Sequence, residues 1–188
     1  LEENSLREII SWIKWPAWSQ VKLTINREWK SLPLEIYVTR AKIVIKDIEH
    51  RKIDKNTYYI QIKNFWEKVD TEFKLTLEAM LKEKNIDKII FDLRNNPGWY
   101  LGEVSTILSY FVDDKKPTAI IDYIDREIKY SSRWYDLIDF NNYELIFLQN
   151  GWSASASEIM VWTVKEYYPE VTIIWEQSFW KGSVQTLK

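Results

Sequence analysis

Cysteine is absent from this chain of 188 residues, and glycine nearly so, with four. Without cysteine there are no disulfides and no thiolate metal sites, a composition that permits export without proving it. Histidine occurs once, at His50, in the charged run "IEHRKID" that reads as surface. No run of eighteen apolar residues occurs, so nothing in this stretch is expected to span a membrane. No signal peptide is visible either, but both ends read as cut, so that absence is uninformative. Positive charge is not in excess: 26 Lys and Arg stand against 28 Asp and Glu, a net charge of −2. That balance argues against nucleic acid as a partner.

The glycine shortage comes with a surplus of tryptophan, eleven in all. A chain of this length ordinarily holds about a dozen glycines. Apolar content is ample for a core, and the length suits one domain or one domain plus part of another.

Residues 1–43 form a first unit. "NSLREIISWIK" places Leu6, Ile9, Ile10 and Ile13 on one helical face, with Asn4 or Ser5 as the cap. Val21, Leu23 and Ile25 alternate as in a half-buried strand, as do Leu34, Ile36 and Val38, with a turn at Trp29–Lys30. A helix and a hairpin are too little to fold alone.

A second unit, 44–188, reads as alternating strands and helices, the pattern of an α/β layered fold. "AKIVIKDIEHRKI" and "TYYIQIKNF" are strands. "VDTEFKLTLEAMLKEKN" is an amphipathic helix capped by Asp70, burying Phe73, Leu77, Met80 and Leu81. "IDKIIFDLR" is a central strand ending in the turn "NNPG", where Asp92 and Arg94 are expected to position the turn. The helix "LGEVSTILSYFVD" follows, with Leu101, Val104, Ile107, Leu108 and Phe111 as its stripe, then the strand "PTAIIDYID". "REIKYSSRWYDLIDFNN" reads as an aromatic loop carrying Tyr130, Trp134 and Tyr135. "YELIFLQN" is a strand leading into a helix over Ser153–Tyr168, and "VTIIWEQS" is the last strand.

Two stretches carry chemistry. "NGWSASASEI" holds Ser153, Ser155 and Ser157 in alternation, closed by Glu158, at a strand–turn–helix junction. The free N–H groups of a helix's first turn can stabilise an oxyanion there. On local pattern alone the same residues read first as a capping box, Ser155-x-x-Glu158, in which the serine only caps a helix. "SFWKGSVQ" offers Lys181 and Gln185. A serine needs a base, and the lone histidine makes a Ser-His-Asp triad a poor fit. A lysine serves once burial disfavours its ammonium form. Spacing alone does not join the two stretches.

Together "NGxSASASEI", "FDLRNNPGxYL" and "FxKGSVQTL", in this order, resemble the C-terminal processing peptidases, or tail-specific proteases, over nearly the whole chain. The resemblance implies a serine endopeptidase core over 44–188, truncated at its C-terminus, behind the C-terminal half of a PDZ-like domain over 1–43. It implies Ser155 as nucleophile, Lys181 as general base and Gln185 as the residue that orients the lysine. The implied oxyanion hole combines the Ala156 N–H with that of Gly98 or its neighbour Trp99. No metal or organic cofactor is implied. The partners would be proteins or peptides with a free C-terminus, a homo-oligomer is compatible, and the location would be the cell envelope, periplasm or exterior.

Tryptophan stands where that family has glycine at Trp99, Trp152, Trp175 and Trp180, and at the small helix position of Trp162. Trp15, Trp18, Trp29, Trp66 and Trp134 fall at turns or fit the same pattern; only Trp12 reads as native, on an apolar helix face. Trp is a poor replacement where φ must be positive or backbones must approach. One reading is that codons decoded as glycine by the cell have been rendered as Trp. The other is a real, tryptophan-rich relative that binds peptides and no longer cuts them. A hydrolase or lyase acting on a small acyl substrate is a third class, without a supporting motif.

Overall fold

The computed structural model describes residues 18–29, 32–41 and 46–179. The expected first helix, with Leu6, Ile9, Ile10 and Ile13, lies outside the described residues, as do Lys181 and Gln185. The chain divides into two compact units, Leu1–Ile45 and Lys46–Lys188.

In the first unit, β1 (Gln20–Ile25) pairs antiparallel with β2 (Leu34–Thr39). The register sets Val21 against Val38, Leu23 against Ile36 and Ile25 against Leu34. The two alternating apolar rows therefore share one face, as the period of two requires.

In the second unit, five strands lie in the order β3 (Ile48–Lys52), β4 (Thr57–Ile62), β5 (Lys88–Asp92), β8 (Glu144–Gln149) and β9 (Thr172–Trp175). β3 is antiparallel to β4, and the later pairs are parallel. Helix α1 (Val69–Met80) joins β4 to β5, α2 (Leu101–Leu108) follows β5, and α3 (Ala156–Tyr167) joins β8 to β9. From β4 to β9 the chain always steps in one direction. Right-handed crossovers then place all three helices on one face of the sheet.

Burial follows from that. Tyr58, Ile60, Ile62, Ile89, Phe91, Leu145 and Phe147 are buried on the helix-covered face. Tyr59, Ile90, Ile146 and Leu148, on the other face, are only half-buried. Phe91 centres the core, with its ring centroid 4.9 Å from Phe147, 5.5 Å from Phe111 and 6.1 Å from Phe73. No helix among the described residues is long and apolar enough to cross a membrane.

Three local expectations need correction. β6 (Pro117–Asp122) does not join the main sheet; it pairs antiparallel with β7 (Glu127–Ser131), inside the stretch read as a loop. Ile128 and Tyr130 alternate with polar residues there, and Tyr123 N–H donates to the Arg126 carbonyl to close the turn. The hairpin is tied to the helices by Ser105–Thr118 at 2.6 Å and by Thr163 Oγ1 donating to the Thr118 carbonyl at 2.9 Å. Asp70 does not cap α1. Lys68, at φ 72°, is the N-cap, and Asp70 lies in the first turn, where its charge favours the helix dipole. Leu81 is exposed because the helix ends one residue before it.

At the end of β5, Asp92 is fully buried. Its carboxylate accepts Tyr59 Oη at 2.6 Å, Arg94 Nη2 at 2.6 Å and the Arg94 backbone N–H at 2.9 Å. Burial alone would raise the Asp92 pKa, but the hydrogen bonds from Arg94 and Tyr59 outweigh it and hold it below the ordinary carboxylate value. Burial, together with the hydrogen bond to Asp92, pushes the Tyr59 hydroxyl up to about 12. A depressed carboxylate contributes stability above its unfolded pKa and loses it as pH falls through the folded one. Arg94 is half-exposed, so solvent weakens its share. Asp92→Asn is therefore expected to cost about 2 kcal/mol near neutral pH. In urea unfolding the gap to the unmodified protein should close below about pH 4; a gap constant with pH would contradict the ionic account.

Candidate active site

Parallel strands end together, and in such sheets the crevice beyond their C-terminal ends is where ligands bind. Here two turns meet at that edge, 93–98 after β5 and 150–155 after β8. They are joined by a reciprocal pair: Asn95 N–H donates to Asn150 Oδ1 at 2.9 Å, and Asn150 Nδ2 to Asn95 Oδ1 at 2.9 Å. Asn95 sits at φ 62°, a conformation that asparagine tolerates.

Asn96 is the hub. Its buried side chain donates to the Ile62 carbonyl at the end of β4 and accepts from Gly98 N–H at 2.8 Å. Its own carbonyl accepts from Ala154 N–H at 3.0 Å and from Ser157 Oγ at 2.9 Å. One residue thus ties three strand ends together.

The three alternating serines are separated by this network. Ser153 is buried and its hydroxyl donates to the Leu93 carbonyl at 2.8 Å while accepting from Asn150 N–H. Ser157 is buried and bound to Asn96. Ser155 is half-buried, the N-cap of α3, at φ 56° and ψ −115°. Its hydroxyl oxygen accepts from the Glu158 backbone, closing the capping box. Among the described residues the hydroxyl proton is donated to nothing. The cap and the presentation of a reactive hydroxyl are therefore compatible. A non-glycine residue at such a φ costs about 1–3 kcal/mol, and a serine held that way between strand and helix is the geometry of a nucleophile elbow.

Two donors flank Ser155. The Ala156 N–H is the first of α3, one of the group that no carbonyl within the helix can reach. The other lies in the facing turn. A Cβ built on Gly98 would meet the Ala154 carbonyl oxygen at 2.6 Å, Ala156 N at 2.7 Å and Ser155 Cβ at 2.8 Å, so only glycine lets the two backbones touch. Gly98 N–H is committed to Asn96, whereas Trp99 N–H has no acceptor among the described residues. Phe65 bridges Gly98 and Tyr100, which turns the N–H of the intervening Trp99 away from Phe65.

The segment after β9 is also attached here. Glu158, nearly buried, accepts Ser155 N–H at 2.7 Å with one oxygen and Ser178 Oγ at 2.7 Å with the other. Phe179 N–H donates to the Ser153 carbonyl at 3.1 Å. His50 is engaged elsewhere, its Nδ1 lying 2.7 Å from the Tyr58 hydroxyl, and burial lowers its pKa. Asn96, the Asn95–Asn150 pair and Ser178 were not singled out from sequence. "NNPG" signalled only a turn, and a hub that works through its carbonyl leaves no residue-type signature.

Residues 56–188 match the model of peptidase family S41, and the chain belongs to that family. It is 30% identical over 188 residues to a carboxy-terminal-processing protease of Bartonella bacilliformis, covering 98% of this chain and 42% of that protein. It is 29% identical over 191 residues to a probable CtpA-like serine protease of Staphylococcus aureus, covering all of this chain and 37% of that one. The chain thus spans less than half the length of these relatives. Among solved structures, a photosystem II D1 C-terminal processing protease superposes with TM-score 0.64 at 20% identity, over 90% of this chain and 47% of that one. At that identity the match bears on the fold, a mixed α/β layered sheet.

The Gly98 contact makes a prediction with a built-in control. Gly98→Ala, at φ 91° against backbone atoms, should destabilise by about 2–4 kcal/mol. Gly102→Ala, in α2 with open space around it, should stabilise by about 0.5–1 kcal/mol. Denaturant unfolding of both measures the two signs, and equal effects would contradict the close approach.

Proposed function

We propose that this chain is the catalytic part of a serine endopeptidase that cuts proteins near their C-terminus through a Ser155–Lys181 dyad. The observation that carries the reading is Ser155: alone of the three serines it keeps its hydroxyl proton uncommitted among the described residues. It also sits between the Ala156 N–H and the Gly98–Trp99 turn. In the reaction Ser155 Oγ attacks the scissile carbonyl carbon as its proton passes to the neutral Lys181 amine. The oxygen that becomes negative is stabilised by the N–H groups of Ala156 and Trp99. Lys181 then returns the proton to the leaving nitrogen as the C–N bond breaks. A water, deprotonated by the same amine, releases the acyl group from Ser155. Gln185 orients the lysine, and no metal or organic cofactor takes part.

Support for Lys181 comes from chain reach. Ser178 and Phe179 are hydrogen-bonded to Glu158 and Ser153. Lys181 stands two positions after Phe179 in the chain, and two positions span at most about 7 Å. The hairpin of the first unit is, in this proposal, part of a PDZ-like module that receives the free C-terminus of a substrate. The protein's location, in this proposal, is the cell envelope, the periplasm or the exterior.

A second reading has its own observation. Trp99, at φ 140°, and Trp152 stand in the two turns that form the site, and a distorted turn would leave a peptide-binding protein without turnover. The product of the complete gene, offered an unfolded protein with an apolar C-terminal tail, separates the two. Cleavage should fall to background in Ser155→Ala and by about 10²–10⁴ in Lys181→Ala. Undiminished cleavage by Lys181→Ala would overturn the dyad; binding without any cleavage would favour the second reading.

A further inference from the structure

We infer that the tryptophans at positions 18, 29, 66, 99, 134, 152, 162 and 175 are glycines in the protein its own cell makes, their codons being UGA read as glycine. The inference goes beyond the peptidase reading and does not rest on it.

Burial gives the first line of support. Tryptophan is large and highly buried on average. Here all eight are exposed, from 43% at Trp66 to 89% at Trp29. The phenylalanines of the same chain behave normally: Phe65, Phe73, Phe91, Phe111, Phe140 and Phe147 are all buried, and only Phe179 is exposed. A chain that buries six of its seven phenylalanines and leaves all eight described tryptophans exposed is not short of interior. Nor do the six of the second unit gather into one ring cluster among the described residues. Trp66 pairs with Trp99 at 4.3 Å and Trp162 with Trp175 at 6.2 Å, while Trp134 and Trp152 join neither pair among the described residues. Trp18 and Trp29 belong to the other unit.

Backbone conformation gives the second. Trp18, Trp99 and Trp134 have φ of 74°, 140° and 51°. Positive φ is uncommon for any non-glycine residue and an outlier for a bulky one. Among the described residues the other non-glycine ones with positive φ are Lys68, Asn85, Asn95, Lys115 and Ser155, two of them asparagines, which tolerate the region. Hydrogen bonding marks the same positions as tight turns. Trp66 N–H and Trp152 N–H each donate to an asparagine two residues earlier, Asn64 and Asn150, and Trp134 N–H to Ser132 Oγ. Asn and Ser side chains that bond the backbone two residues on mark turns, and of these three positions Trp134 also holds the positive φ that glycine supplies without cost.

A single decoding rule accounts for all eight, whereas independent substitutions would need eight separate events, three of them at a positive φ that strains a bulky residue. Tryptophan has one codon, UGG, and UGA differs from it only in the third base. Glycine at these positions, and at Trp15 and Trp180, would bring glycine to the ordinary share of about 7%. It would also make the turn beside Ser155 a Gly-Gly pair, free to hold φ 91° and 140° without strain.

The test is the mass of the tryptic peptide 95–115 from protein isolated from its own cells, read beside the codons of the gene. Glycine at 99, with UGA at the eight positions and UGG at Trp12, is the expected result. Tryptophan at 99, or UGG at the eight, overturns the inference. In recombinant full chain, Trp99→Gly and Trp134→Gly should each raise the thermal midpoint by about 2–4 °C; a lowered midpoint in both counts against it. None of these readouts depends on whether Ser155 is a nucleophile, so failure here and failure of the peptidase reading are told apart.

Discussion

The contact on which the site depends is the docking of one backbone turn against another. The turn after β5 and the turn after β8 approach until no Cβ fits between Gly98 and Ser155. Four hydrogen bonds through Asn96 hold them there, reaching back to the end of β4. The three of these bonds that involve a side chain are buried on both sides, where an unmade partner costs about 1–3 kcal/mol, so the arrangement is held by the penalty for opening it. The Asn95–Asn150 pair closes the same gap from the exposed side.

Everything beneath that edge serves to keep it fixed. Crossovers stepping in one direction bring β4, β5, β8 and β9 to a common end, and the phenylalanine cluster around Phe91 fixes the helices that follow them. Asp92 makes the link between core and turn. It is buried, holds Tyr59 from the neighbouring strand, and holds Arg94 at the start of the turn. The left-handed conformation of Ser155 is strain that this framework sustains, and strain of that kind gathers where a side chain must be presented.

Much of this was legible in the residues because period and punctuation are local signals. Alternation in Val21–Ile25 and Leu34–Val38 gave the hairpin, and the apolar run Ile89–Phe91 with "NNPG" behind it gave a central strand and its turn. The Ser155-x-x-Glu158 box marked the start of α3 to within a few residues. What was not legible depended on partners distant in sequence. The pairing of β6 with β7 competes with a main-sheet assignment that local pattern supports equally. Asp70 looks like a cap until Lys68 is seen to take the left-handed position ahead of it. Asn96 acts mainly through its carbonyl, which every residue has, and Ser178 matters only because Glu158 has a second oxygen. The excess of tryptophan was visible at once, but that all eight described copies lie at the surface is a fact of the fold alone.

Docking of the two turns commits the Ser153 and Ser157 hydroxyls and, among the described residues, leaves the Ser155 proton free, which is the basis for proposing it as the nucleophile. The most direct measurement is covalent capture: the product of the complete gene is treated with a fluorophosphonate, digested, and the modified residue located by mass. The account requires the adduct on Ser155, with Ser153 and Ser157 unmodified because their hydroxyls are buried and committed. An adduct on either of those serines, or none in a protein shown to be folded, would contradict it.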